Sequence, residues 1–150
     1  MTEIRQATTN DLAELANLHR LTLGDHGPDP MVALTQQLAR GMVWLAEDPS
    51  GILGLATGQI AADEAEIHAV AVVPQARKKG IGRRLVQALE DAAFTMGATT
   101  CFLEVRASNL GARTLYQRSG YEQCGQRPAY YPDGEDAIVM RRRLRETSCG

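Results

Sequence analysis

Eight residues in the middle of the chain, Arg77-Lys78-Lys79-Gly80-Ile81-Gly82-Arg83-Arg84, combine cations with glycines. Glycines let backbone N–H groups crowd towards an anion, and a helix that begins here adds the positive end of its dipole. The Arg and Lys side chains supply further charge. This is the makeup of a pyrophosphate cradle. A dinucleotide fingerprint would need a third glycine at position 85, where the chain has Leu85, and a Walker-type loop would need Gly-Lys-Ser/Thr after a longer spacing. The remaining alternative is a solvated basic turn kept tight by its glycines.

A second chemical signal is Glu104, a lone carboxylate in the otherwise apolar run Cys101-Phe102-Leu103-Glu104-Val105. A buried carboxylate is costly without a partner or a use. Partial burial raises its pKa and makes it a better base near neutral pH. The competing role is a structural ion pair, with Arg106 or a remote cation. Tyr116, twelve positions on, either gives a proton to a leaving group or caps the core with its hydroxyl. Asn109 either bonds a ligand amide or caps its own helix. Tyr130-Tyr131, beside Pro132-Asp133-Gly134, either line a peptide groove or pack under a turn. His68 reads as a packed side chain rather than a catalytic one.

These residues need elements to hold them. The β-branched run at Ile67, Val70, Val72 and Val73 predicts a strand buried on both faces, ended by Pro74. After Gly82, Leu85, Leu89, Ala93 and Met96 recur at helical spacing. The cradle therefore joins a strand to a helix. Thr99–Val105 reads as the strand of Glu104, and Ser108 or Asn109 caps the helix of Tyr116, which Gly120 ends. Upstream come a short strand over Glu3–Ala7 and a helix opened at Thr8 or Thr9. Asp11 completes a capping box from Thr8, and Leu12, Leu15, Ala16 and Leu18 form the apolar face. Gly24–Pro30 reads as a loop, Val32–Arg40 as a helix stopped by Gly41, and Met42–Ala46 with Gly51–Ile60 as strands around Asp48-Pro49-Ser50-Gly51. Tyr121–Gln126 and Ala137–Leu144 are the last strands, with Tyr130–Glu135 a loop between them and Arg141–Arg145 a solvated basic end.

Composition sets outer limits. At 150 residues one domain with a proper core is expected. A 44% hydrophobic and 23% charged chain is ordinary for a globular protein, and a net charge of -2 gives no reason to expect non-specific nucleic-acid binding. No apolar run has membrane-spanning length and no signal peptide opens the chain. Cys101, Cys124 and Cys149 read as reduced thiols in a cytoplasm, and His19, His26 and His68 show no metal spacing.

The pattern Arg-x-x-Gly-x-Gly at Arg77–Gly82, between strand and helix, resembles the acetyl-CoA motif of the GNAT N-acetyltransferases. The run from Leu103 to Tyr121, LEVRASNLGARTLYQRSGY, resembles the signature of RimI-type protein N-terminal acetyltransferases. So does the stretch from Arg127 to Met140, RPAYYPDGEDAIVM, and the similarity covers Glu64–Leu144. The resemblance implies a mixed α/β fold: a splayed sheet of about seven strands with about four helices on both faces. It implies acetyl-CoA as cosubstrate, with Val70, Ala71 and Val72 on the pantetheine. Arg77, Lys78, Lys79, Gly80, Ile81, Gly82 and Arg83 would hold the pyrophosphate, and Asn109 would contact the cofactor. Glu104 would be the general base, Tyr116 the acid that protonates the departing thiolate, and Tyr130 and Tyr131 would flank the acceptor. No metal is implied.

The implied reaction is acetyl transfer to the N-terminal α-amine of a protein, in the family the amino-terminal alanine of a ribosomal protein. RimI-type enzymes carry a Phe-Pro-Trp-Ser-like segment after the first helix. Here that region, Thr22–Pro30, has no aromatic residue. Two other functions stay open: acetylation of a small-molecule amine, and a non-catalytic acetyl-CoA-binding module. No contact with membrane or nucleic acid is expected.

Overall fold

The computed structural model describes residues 1–23 and 29–144. Within them seven strands form one mixed sheet. β1 (Glu3–Gln6), β2 (Val43–Asp48), β3 (Gly51–Ala61), β4 (Glu64–Val72), β5 (Thr100–Arg106), β6 (Glu122–Arg127) and β7 (Ala137–Arg143) lie in the order β1-β2-β3-β4-β5-β7-β6. All neighbouring pairs are antiparallel except β4 with β5. Helices α1 (Leu12–Leu23) and α2 (Pro30–Ala39) cover one face. Helices α3 (Ile81–Thr95) and α4 (Leu110–Arg118) lie on the other. No helix among the described residues is long and apolar enough to cross a membrane.

The parallel pair decides the shape. β4 and β5 are matched only from Glu64↔Thr100 to Ile67↔Leu103, and beyond that they part. β5 continues alone against β7, where Glu104↔Val139 and Val105↔Ile138 stay paired. β4 continues against β3, but with a bulge: Thr57 matches Ala69 while Gly58 matches Ile67, so His68 is the extra residue. The bulge reverses the alternation of β4. Ala65 and Ile67 pack towards α3, as do Val70 and Val72, whereas Ala69 and Ala71 turn to α1 and α2. Gly58 is needed opposite it, because a Cβ there would strike the carbonyl of Glu66.

The expectation of a strand buried on both faces therefore holds only in part. Ala65, Ile67 and Ala71 are buried, while Val70, Val72 and Val73 are half-exposed where β5 has moved away. α3 starts at Ile81, ahead of the expected opening after Gly82. Leu85, Leu89 and Ala93 are fully buried, each leucine contributing about 1.5–3 kcal/mol. Met96 is its exposed C-cap instead of a core residue. Thr8 opens the turn before α1, and the Asp11 carboxylate accepts the Thr8 N–H at 2.8 Å. That carboxylate also holds Arg5 at 2.9 Å, and its pKa falls to about 2. Asp29 caps α2 and Pro30 begins it, so these two leave the expected Gly24–Pro30 loop; residues 24–28 of that loop, and Cys149, lie outside the described residues.

Candidate active site

The basic glycine turn stands at the head of α3. Pro74–Ala76 makes a 3-10 turn, and Lys78 (φ 65°) and Gly80 (φ 78°) both take the left-handed conformation. Alternating hands in a short turn aim successive N–H groups into one concavity. Gly80 suits this at little cost, whereas Lys78 carries a side chain in a region that disfavours one. Arg77 is not a free cation: its Nε donates to the Val72 carbonyl at 2.9 Å and fixes the turn to the end of β4. A groove of about 790 Å³ runs from this turn along Val70–Val72 to α4. Lys78, Gly80, Ile81, Gly82, Arg83 and Asn109 all line it. Lys79 is exposed beside them and is not part of the lining. Arg118, Thr114 and the end of α1 at Thr22 and Leu23 also line the groove. Sequence reasoning missed these, and the helical spacing Thr114–Arg118 was the only available signal.

Asn109 is the cap of α4, its side-chain oxygen accepting the Ala112 N–H at 3.1 Å. Its amide N–H groups remain available to the groove it lines. Ser108 instead gives its N–H to Glu135 at 2.8 Å.

Glu104 lies where β4 and β5 separate. Alternation along β5 sends Leu103 and Val105 towards α3, so Glu104 faces the opposite side. Its side chain is 18% exposed and lines a depression of about 250 Å³ with Glu64, Glu66 and Arg127. Arg106 is not its partner; that guanidinium bridges Asp133 at 2.8 Å and Glu135 at 3.0 Å. Arg127, from β6, brings Nε to 3.2 Å of Glu104 Oε2. The approach lacks hydrogen-bond geometry, and Oε2 is buried without a hydrogen-bond partner among the described residues.

Tyr116 is 7% exposed, its ring edge-on to Tyr121 with centroids 5.9 Å apart. Burial pushes its phenol up to about 12, and no hydrogen bond to a described residue contributes to that value. The Tyr130-Tyr131 loop is clipped to the end of β5 through the Arg106 bridges. The two rings meet edge-on at 5.1 Å, and Arg106 stacks on Tyr131 at 4.1 Å. Tyr130 is half-exposed, its phenol pushed up chiefly by the Glu104 charge. The structure thus brings Glu104 and Tyr130 together. After burial and Cys101, the Tyr131 charge adds the smallest contribution to the raised Tyr116 phenol.

His68 departs from its expected packing. It is the bulge residue, one-third exposed, with Nδ1 at 2.8 Å from Gln37 Nε2 of α2 and Nε2 at 3.7 Å from Glu66. Also unforeseen is a buried network at the far end of the sheet. Glu90 accepts the Tyr121 hydroxyl at 2.8 Å and Arg142 at 2.7 Å, so one of the supposed solvated arginines is a core partner.

A sheet that splays in its middle, a basic glycine turn at a helix head beside the splay and a carboxylate at its mouth are the arrangement expected of an N-acetyltransferase. The chain belongs to the acetyltransferase (GNAT) family, whose model matches residues 12–121. It is 42% identical over 85 residues to the [ribosomal protein bS18]-alanine N-acetyltransferase of Salmonella typhimurium, covering 55% of this chain and 57% of that one. It is 36% identical over 143 residues to the N-alpha-acetyltransferase RimI of Mycobacterium tuberculosis, covering 90% and 88%. The crystal structure of the ribosomal-protein-S18-alanine N-acetyltransferase from Escherichia coli superposes with a TM-score of 0.85 at 30% identity, covering 100% and 98%. The chain spans 57% of the Salmonella relative and 39% of an uncharacterized Mycobacterium leprae relative, less than two thirds of either.

Proposed function

We propose that this chain transfers the acetyl group of acetyl-CoA to the α-amine of a protein N-terminus, with Glu104 as base and Tyr116 as acid. The observation that carries this reading is the buried Glu104 Oε2 at the mouth of the splay, which among the described residues has the Arg127 guanidinium at 3.2 Å but no hydrogen bond. A carboxylate held that way suits an incoming ammonium, which supplies both the donor and the proton.

The residues fit the cosubstrate. β4 has no strand partner beyond Ile67 on its β5 side, so a pantetheine arm can add there along Val70–Val72 as an extra strand. The N–H groups about Gly80–Gly82 suit its pyrophosphate, with Lys78, Lys79 and Arg83 as charge and Asn109 as an amide contact. A backbone N–H of the bulged segment suits the oxyanion. The amine loses a proton to Glu104 and attacks the thioester carbon. As the C–S bond breaks, Tyr116 hands its proton to sulfur. Tyr130 and Tyr131 flank the acceptor's main chain. A ribosomal protein N-terminus in the cytoplasm, the acceptor type in the names of the Salmonella and E. coli relatives, is one such substrate.

The α-amine is preferred over lysine on proton chemistry. Its pKa of about 7.7–8.0 leaves roughly a tenth neutral at pH 7, against well under a thousandth for lysine at about 10.4. One peptide with a free amino terminus and an internal lysine is compared with the same peptide blocked at its terminus, a polyamine and free amino acids. Acetylation read by mass spectrometry is expected to vanish on blocking. Faster reaction of the blocked peptide or the polyamine would replace this reading with the lysine or small-molecule one.

A further inference from the structure

We propose that His68 is the proton exit of the transfer, taking from Glu104 the first proton that the acceptor amine gives up. The inference rests on Glu104 as the base. Ile67 and Leu103 are the last matched residues of β4 and β5, so His68 and Glu104 are the first residue on each strand past the fork. Both leave the α3 side of the sheet. Both do so by alternation, Glu104 after Leu103 and His68 after Ile67, and the His68 ring there meets Gln37 of α2 and Glu66 two residues earlier. Without the extra residue the alternation past Ile67 would stay in phase, and Ala69 and Ala71 would turn to α3.

The imidazole is held at both nitrogens. Gln37, itself buried, meets Nδ1, and a carboxamide turned by half a rotation offers oxygen where it offered nitrogen. It therefore serves the ring with or without a proton on Nδ1. Glu66 Oε1 stands 3.7 Å from Nε2. The charged group that meets His68 is Glu66 on its own strand, while Glu104, with Arg127 of β6 against it, is the first carboxylate of β5 past the fork. Gln37 from α2 is neutral, and β3 offers only Thr57 and Gly58 opposite the bulge.

The reaction needs such an exit. An acceptor arriving as an ammonium sheds two protons in becoming an amide, while Tyr116 gives one to the thiolate. Glu104 takes the first and passes it through water to His68 Nε2 and thence to solvent. It is then free to take the second as the C–N bond forms and the C–S bond breaks. That second proton afterwards restores the Tyr116 phenol, so the net release is one proton per turnover.

The test is steady-state thiol release in dilute buffer across about pH 6 to 9, using whichever amine reacts fastest. His68→Gln keeps a polar contact for Gln37 but cannot carry a proton at these pH values. His68→Ala leaves room for an added base. For both, kcat is expected to fall by about 10–100-fold, with unchanged KM for acetyl-CoA and unchanged melting temperature. Imidazole added to the assay should restore kcat in His68→Ala and do nothing for Glu104→Gln. Near-normal kcat in His68→Gln, or a loss in His68→Ala that imidazole leaves untouched, overturns the proposal. A Glu104→Gln enzyme with full activity removes the underlying base assignment instead, and is told apart from either result.

Discussion

The two sides of the splay are built from different materials. On the proposed cofactor side the groups come from one continuous stretch, β4 through the turn to α3, and mostly from backbone: a strand edge without a β5 partner, a left-handed turn and a helix N-terminus. On the proposed acceptor side the polar groups are side chains from separate elements. Glu104 comes from β5, His68 from β4, Gln37 from α2, Arg127 from β6 and Tyr130 from the β6–β7 loop. A site of backbone groups depends on local conformation and tolerates exchange of side chains. A site of converging side chains depends on packing between distant parts and tolerates almost none.

That contrast can be broken most sharply at Gly82. A Cβ there meets Leu115 at 3.4 Å and Val72 at 3.9 Å, both ordinary contacts, and φ is unremarkable, so the fold itself does not demand glycine. Gly82→Val is nonetheless expected to abolish acetyl-CoA binding by calorimetry, because the branched side chain stands between the helix N-terminus and an approaching phosphate. Gly82→Ala, with a better helix former, should keep or raise the melting temperature while still weakening binding. Undiminished affinity in the valine variant would dissolve the cradle.

On the other side of the comparison stands Tyr116→Phe. The ring and its edge contact with Tyr121 survive, and only the proton donor is lost. A fall in kcat of about 10²–10⁴ is expected, with acetyl-CoA affinity unchanged. The high phenol pKa has a definite sign. Its folded-state value is raised to about 12, above the usual 10, so Tyr116 stays protonated throughout the neutral range and its ionisation should not set the alkaline limb of the rate profile below about pH 10. Near-normal kcat in the phenylalanine variant would reduce Tyr116 to a core aromatic.

The same contrast explains what could be read from the chain. Gly80, Gly82 and the cations around them are contiguous, so the basic glycine turn and its strand–turn–helix setting were legible, as was the carboxylate Glu104 in an apolar strand. The bulge was not, since it arises from a mismatch between β3 and β4 that no local pattern on β4 records. Ala69 and Ala71 change sides for that reason: simple alternation offers no signal that a residue has been added. Nor does a run of arginines reveal that Arg142 turns inward to Glu90 while Arg141 and Arg143 stay out, because that depends on where α3 carries a carboxylate fifty-two positions away.

The smallest expected effect sharpens the comparison from within the cradle. If backbone groups dominate, a single flexible cation there should matter little. Lys78 is exposed, and solvent-facing charge pairs contribute about 0.2–1 kcal/mol, which is at most about a fivefold change in affinity. Lys78→Ala is therefore expected to weaken acetyl-CoA binding by about two- to fivefold, with the difference from the parent shrinking as salt is raised. The left-handed φ of 65° at this residue supplies a control. Lys78→Gly removes the same charge but relieves the backbone, so it should match alanine in lost affinity while exceeding it in melting temperature. Equal loss in the two variants assigns the effect to charge. A loss confined to alanine assigns it to the shape of the turn. A loss in either as large as that of Gly82→Val would mean that the cations, and not the N–H groups, hold the phosphates, and the distinction between a backbone side and a side-chain side of this molecule would fall with it.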